Sequence, residues 1–141
     1  MNFKEENMKF VEELVKSDPK KLDERMTGTF KSKRLGRQLG KDEAFEIQLQ
    51  ALTYNEIINM REYVTNRDGS INQQRSVEAN AKLCVEGIAF PDLHDEAIQK
   101  FCGKSSAEET AVRLFDTELL AISEKILALS NFGNEEETVK N

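Results

Sequence analysis

Histidine, proline and cysteine are scarce in this chain: of 141 residues, one is His, two are Pro and two are Cys. Each scarcity closes off a chemistry. The single histidine, His94, lies among acids in PDLHDEA, with no neighbouring Ser or Cys motif from which a nucleophilic triad could be built. Cys84 and Cys102 have only His94 between them as a further soft ligand, and no close Cys or His pair frames a zinc site. The expectation is two buried, reduced thiols packing as small hydrophobes, with no metal, no disulfide and no cofactor. No apolar run approaches the roughly 20 residues of a membrane span. The opening MNFKEENMKF has no signal-peptide core, so a cytoplasmic protein is expected. The acids are abundant, but no pair sits in an apolar setting that would raise one carboxyl for acid–base work. Catalysis is therefore not expected.

One stretch imitates a nucleotide site. In SKRLGRQLGKDEAF the segment GRQLGKD resembles a phosphate-cradling loop, which requires G-x-x-x-x-G-K followed by Ser or Thr. Here Gly36 and Gly40 enclose only three residues, and Asp42 stands where the hydroxyl should be. A carboxylate there repels phosphate, so these glycines are assigned to a hairpin turn.

What the chain does have is charge and helical periodicity. Apolar residues make up 38% and charged residues 33%, enough for one domain with extensive solvated faces. The net charge of −6 is unevenly spread: residues 1–43 carry +2, residues 44–107 carry −3 and residues 108–141 carry −5. Lys31, Lys33, Arg34, Arg37 and Lys41 form a basic run, whereas Glu135, Glu136 and Glu137 make the end acidic.

Phe3, Phe10, Val11, Leu14 and Val15 fall on one face of a helix that Ser17-Asp18-Pro19 ends. This amphipathic arm, with the short turn KKLDERM after it, occupies residues 1–28. Phe45, Ile47, Leu49 and Ala51 then alternate with polar residues, the period of a half-buried strand. TFKSKRL is its expected partner and GRQLGKDE the loop, giving a hairpin over residues 29–52.

From residue 53 to 133 the pattern is helical throughout. Thr53-Tyr-Asn-Glu56 and Ser106-Ala-Glu-Glu109 read as capping boxes. Val77, Ala81, Cys84, Val85 and Ile88 form one buried stripe, and Leu119, Ile122, Ile126 and Leu129 another. The expected fold is mainly α within the α+β class: about five helices on a small N-terminal hairpin, a detachable arm, and a loose acidic tail over 134–141.

Two binding readings arise from the residues. The basic run on a hairpin suits a small nucleic-acid-binding regulator. Against it, Phe30 is the lone aromatic near the run and the chain is acidic overall. Lysines blunting an exposed sheet edge explain the run without any ligand. The second reading is a protein-binding surface. The last helix has an apolar face wider than one packing partner requires, and the arm is amphipathic. With the 119/122/126/129 stripe assigned to the core, Leu120, Leu127 and Phe132 remain as candidate partner contacts, joined by Phe10 and Leu14 of the arm.

The order of signals resembles a known family. SKRL, the alternating FEIQLQAL, the helix opening TYNEI, the central AKLCVEGIAFPDLHDEAIQKFCG with its PDL-x-D core, and the closing LLAISEKILALSNF are similar to the XkdN-like tail assembly chaperones of contractile-tailed phages and defective prophages. The resemblance spans roughly residues 30–133. It implies a non-enzymatic assembly factor that binds tape measure protein and tail tube subunits in the host cytoplasm and is absent from the finished virion. Independently of the resemblance, the apolar faces of the arm and the last helix are expected to allow self-association. A structural tail protein is the alternative from the same setting.

Overall fold

The computed structural model describes residues 2–130. Among them, three strands form one antiparallel sheet in the order β1 (Thr27–Ser32), β2 (Phe45–Gln50), β3 (Ile88–Phe90). Seven α-helices accompany it: α1 (Phe3–Lys16), α2 (Lys33–Gln38), α3 (Tyr54–Val64), α4 (Gln73–Gly87), α5 (Glu96–Cys102), α6 (Ala107–Phe115) and α7 (Glu118–Leu129). The class is α+β. The helix count exceeds the five-plus-arm expectation because α2 lies inside the β1–β2 connection.

β2 is the middle strand, and its alternation is that of a sheet covered on one side. Ile47 and Leu49 are fully buried, while Glu46 and Gln48 face water. β1 pairs with it from Thr27 opposite Gln50 to Ser32 opposite Phe45. The pair is not a simple hairpin. Ser32 stops the strand by capping a helix: its Oγ accepts from the Leu35 N–H at 3.1 Å, so Lys33, Arg34 and Leu35 are helical rather than extended. The two glycines then take different roles. Gly40 turns the chain with φ of 70°, whereas Gly36 is buried within α2, where a Cβ would stand 2.2 Å from the Glu43 carbonyl oxygen. Only the first is the turn residue expected of both.

The second correction concerns β3. The apolar stripe of α4 runs without a break into Ile88, Ala89 and Phe90, but the helix ends at Gly87. Ile88 then pairs with Leu49, and Phe90 with Gln48, across a register irregularity. Gly87 lies where α7 crosses, and a Cβ there would meet Ile126 Cδ1 at 2.4 Å. Val77, expected in the buried stripe, is instead 75% exposed near the start of α4, whereas Ala81, Cys84, Val85 and Ile88 are buried. Tyr54 likewise opens α3 in solvent.

The core joins β2, α4, α6 and α7, with Phe115, Ile122, Ile126 and Cys84 fully buried. Buried thiols are the arrangement expected of both cysteines. Desolvation pushes the Cys84 thiol up to about 12, so it is an inert packing group. Local sequence fixes the helix boundaries. Thr53 and Glu56 make a reciprocal capping box. Asp95 caps α5, which Gly103 ends in the left-handed conformation, and Ser106 caps α6. Among the described residues, no helix is long and apolar enough to cross a membrane.

A carboxylate ties the two ends of this layout together. Glu118, the first residue of α7, accepts from Ser32 Oγ at 2.6 Å and from the Lys33 and Arg34 N–H groups at 3.1 and 3.4 Å. It supplies negative charge to the otherwise unsatisfied N-terminus of α2. At the other end of α7, Ser130 Oγ accepts from the Leu52 N–H at 2.8 Å. Leu129 lies over Gly28, where a Cβ would come within 3.2 Å of its Cδ1.

Candidate partner-binding surface

Helix α1 buries none of its residues. Asn2 caps it by accepting from the Lys4 and Glu5 N–H groups, and Ser17 closes it through the Leu14 carbonyl. Phe3, Met8, Phe10, Val11, Leu14 and Val15 are all exposed, Phe3 at 75% and Val15 at 79%. One continuous apolar face therefore has no covering in a single chain. A single 3₁₀ turn, Pro19–Asp23, follows. The root of the arm is then fixed where Arg25 forms an ion pair with Glu56 at 3.2 Å and the Met26 carbonyl accepts from the Ala51 N–H.

The candidate contacts on α7 separate. Leu120 is 63% exposed, opposite the buried stripe of Leu119, Ile122 and Ile126. Leu127 is half-buried and packs against the core. Its edge lines an apolar depression of about 340 Å³ between α3, α4 and α7, shared with Ile57, Met60, Val64 and Leu83. That depression exists because α3 covers its neighbours with half-buried side chains and has no fully buried residue. Phe132 lies outside the described residues.

The basic run does not form one face. Lys31 lies on β1, an edge strand of the sheet, opposite Glu46. Lys33, Arg34 and Arg37 belong to α2, and Lys41 to the connection that follows. Arg34 leans across to α6 while staying exposed: its Nε donates to the Leu114 carbonyl at 3.0 Å and its Nη2 to the Arg113 carbonyl at 3.3 Å. The edge strand is covered in a way the sequence did not show, with Lys125 Nζ of α7 donating to the Thr29 carbonyl.

Two grooves flank α6, and sequence reading found neither. One runs between α4 and α6, about 640 Å³, with Val77, Ala81 and Val112 along its floor and charges of both signs around it. There Tyr63 donates to Glu78, whose acceptor bond raises the phenol above its ordinary range, and Lys82 Nζ lies 5.2 Å from the ring centroid. The other groove lies between α2, α5 and α6 and has two adjoining lobes of about 560 and 400 Å³. Its residues are distant in sequence, so no local signal announces it. The arrangement offers apolar recesses and helix faces, the geometry that accepts an amphipathic helix.

A search of curated proteins finds no match. Among solved structures, a similar one is the crystal structure of the protein yqbn, a structural genomics target; it is 14% identical, covers 75% of this chain and 87% of its own, and superposes with a TM-score of 0.54. That likeness concerns the fold. The model of the phage XkdN-like tail assembly chaperone proteins matches residues 11–141, from the second half of α1 onwards. This chain belongs to the XkdN-like family of phage tail assembly chaperones.

Proposed function

We propose that the protein shields tape measure protein, and hands it to tail tube subunits, during phage or prophage tail assembly. It does so without catalysis, in the host cytoplasm, and is left out of the finished virion. The observation that supports this most directly is the match to the chaperone family over residues 11–141, on a fold that leaves whole apolar faces uncovered. A tape measure is a long helix-rich chain whose apolar stripes aggregate until the tube encloses them. Small domains can cover successive segments by exchanging apolar contact for apolar contact. Each contact must stay weak enough to be displaced, which a shallow recess and a few side chains provide.

In this reading the unit of residues 29–133 carries the client contacts, and the arm over 1–28 and the acidic stretch over 134–141 are separate elements. Leu120 and Leu127 of α7 are the assigned client contacts, with Phe132 after them. Phe10 and Leu14 supply a second apolar surface.

Co-expression with tape measure protein tests the proposal. The wild-type chain should hold the tape measure in the soluble fraction and migrate with it on a sizing column. Leu120→Glu should weaken that complex while leaving the fold intact, because the side chain is exposed. A tape measure that remains as insoluble as when expressed alone rules the reading out. Recovery of the protein from purified particles would point instead to a structural tail component.

A further inference from the structure

We infer that the groove between α2, α5 and α6 receives helix α1 of a second copy of this chain. Its floor is apolar, from Leu35, Leu39, Phe45, Ile98, Phe101 and Leu114. Leu39 is 52% exposed and Phe101 is 74% exposed, so the floor itself lacks a cover. One lobe is bordered by Arg34, Arg37 and Arg113. Among the described residues none of these three arginines forms an ion pair. A site that combines apolar depth with a cationic margin suits a helix whose apolar ridge is edged by acids.

Helix α1 has that pattern. Phe3, Phe10 and Leu14 share one ridge, since spacings of 7 and 11 residues return to the same side of a 3.6-residue helix. Glu6 and Glu13, each three residues beyond a phenylalanine and seven apart, run as a line along one margin of that ridge. Seated in the groove, the ridge meets the apolar floor and the acidic line meets the arginines. Charge complementarity at the margin then fixes orientation more than it adds affinity.

The donor is a second copy because of where the arm is rooted. Arg25 and Met26 hold it at the Gln50–Ala51 end of the β1–β2 pair. The groove opens at the opposite end, where Ser32 faces Phe45. Those ends are about 20 Å apart along a six-residue strand. The segment between α1 and the root holds the 3₁₀ turn Pro19–Asp23, capped by Asp18, which shortens its reach. In its own chain α1 stays clear of the groove, since it buries none of its residues. A neighbouring copy is not tied to that distance. This pairing shares Phe10 and Leu14 with the client reading above but not Leu120 or Leu127, and its test contains no client, so either can fail without the other.

Sedimentation velocity on the full chain, at low salt and from about 1 to 100 μM, tests the pairing. The wild type should gain mass with concentration. The charge reversals Glu6→Arg/Glu13→Arg and Arg37→Glu/Arg113→Glu should each weaken association at least tenfold with unchanged circular dichroism. An equimolar mixture of the two reversed proteins should associate again, because each arm then faces a groove of opposite charge on the other chain. Phe10→Glu should weaken association without rescue by mixing. A wild type that keeps single-chain mass throughout overturns the inference, as do reversals that associate like the wild type or a mixture that stays apart.

Discussion

Helices α1 and α7 carry the same sequence signal and meet opposite fates. Both repeat apolar residues at helical spacing, yet α1 buries nothing and α7 buries Leu119, Ile122, Ser123 and Ile126. Charge separates them. Half of the fourteen residues of α1 are charged, against three of twelve in α7. A helix with charge on most of its circumference can shed only one face into a core. Periodicity tells that a face is apolar; it does not tell which chain covers it.

That contrast can be broken most forcefully in the interior. Ile126→Ala removes a fully buried side chain where α7 crosses Gly87, and should cost about 2–5 kcal/mol in urea unfolding. Phe10→Ala, measured in dilute protein, should change global stability by less than about 0.5 kcal/mol. Equal costs would mean that the arm belongs to the cooperative unit.

The helix starts offer a second comparison. Glu118→Ala leaves the buried Ser32 hydroxyl and the first N–H groups of α2 without their acceptor, a loss of about 1–3 kcal/mol. Asn2→Ala removes a cap of similar geometry from α1, yet should leave the global transition in place, with the change visible only as faster amide exchange in the arm. Between these extremes, Thr53→Ala removes one half of the α3 capping box and should cost about 1 kcal/mol.

The smallest effect concerns protonation near the arm's root. Glu86 is raised by hydrogen bonding with Glu56, by burial and by the Glu56 charge. Burial pushes Glu56 up too, but the bonds from Glu86 and Thr53 and the Arg25 charge outweigh it and hold Glu56 below the ordinary range. For Glu86 the sign follows from a folded-state value above the unfolded one: its stabilisation is present below the ordinary carboxylate range and lost as pH rises through the raised value. Glu86→Gln keeps the neutral partner at every pH. The variant should match the wild type near pH 4 and exceed it near pH 7 by about 0.3 kcal/mol, a small margin because the site is largely solvated. The reverse order would mean that no proton is shared there.

What the sequence disclosed follows the range of each cause. Caps, the Gly103 stop, the β2 alternation and the α7 stripe are set by neighbours in the chain and were legible. Helix α2 was not, because six residues with a glycine inside present too little period to distinguish a helical turn from a strand end. Strand β3 was missed because Ile88–Phe90 continue the apolar stripe of α4, and their extended form comes from pairing with β2 about forty residues earlier. The exposure of Val77 is likewise a matter of where the helices packed on α4 stop covering it. The exposure of Phe10, Leu14 and Leu120 could be picked out from the sequence, whereas Leu127, read as surplus, packs against the core. The arginine-edged groove could not, since Arg113 comes from α6 and joins Arg34 and Arg37 only through the fold.

Ser130 accepting from Leu52, and Leu129 against Gly28, place the exit of the last helix beside the joint of the N-terminal arm. The molecule thus presents both approaches to its polypeptide at one pole, leaving the α2 end as the other. A fluorophore introduced at Ser130 would therefore report on the joint of the arm, where Met26 meets Ala51, rather than on helix α1 itself.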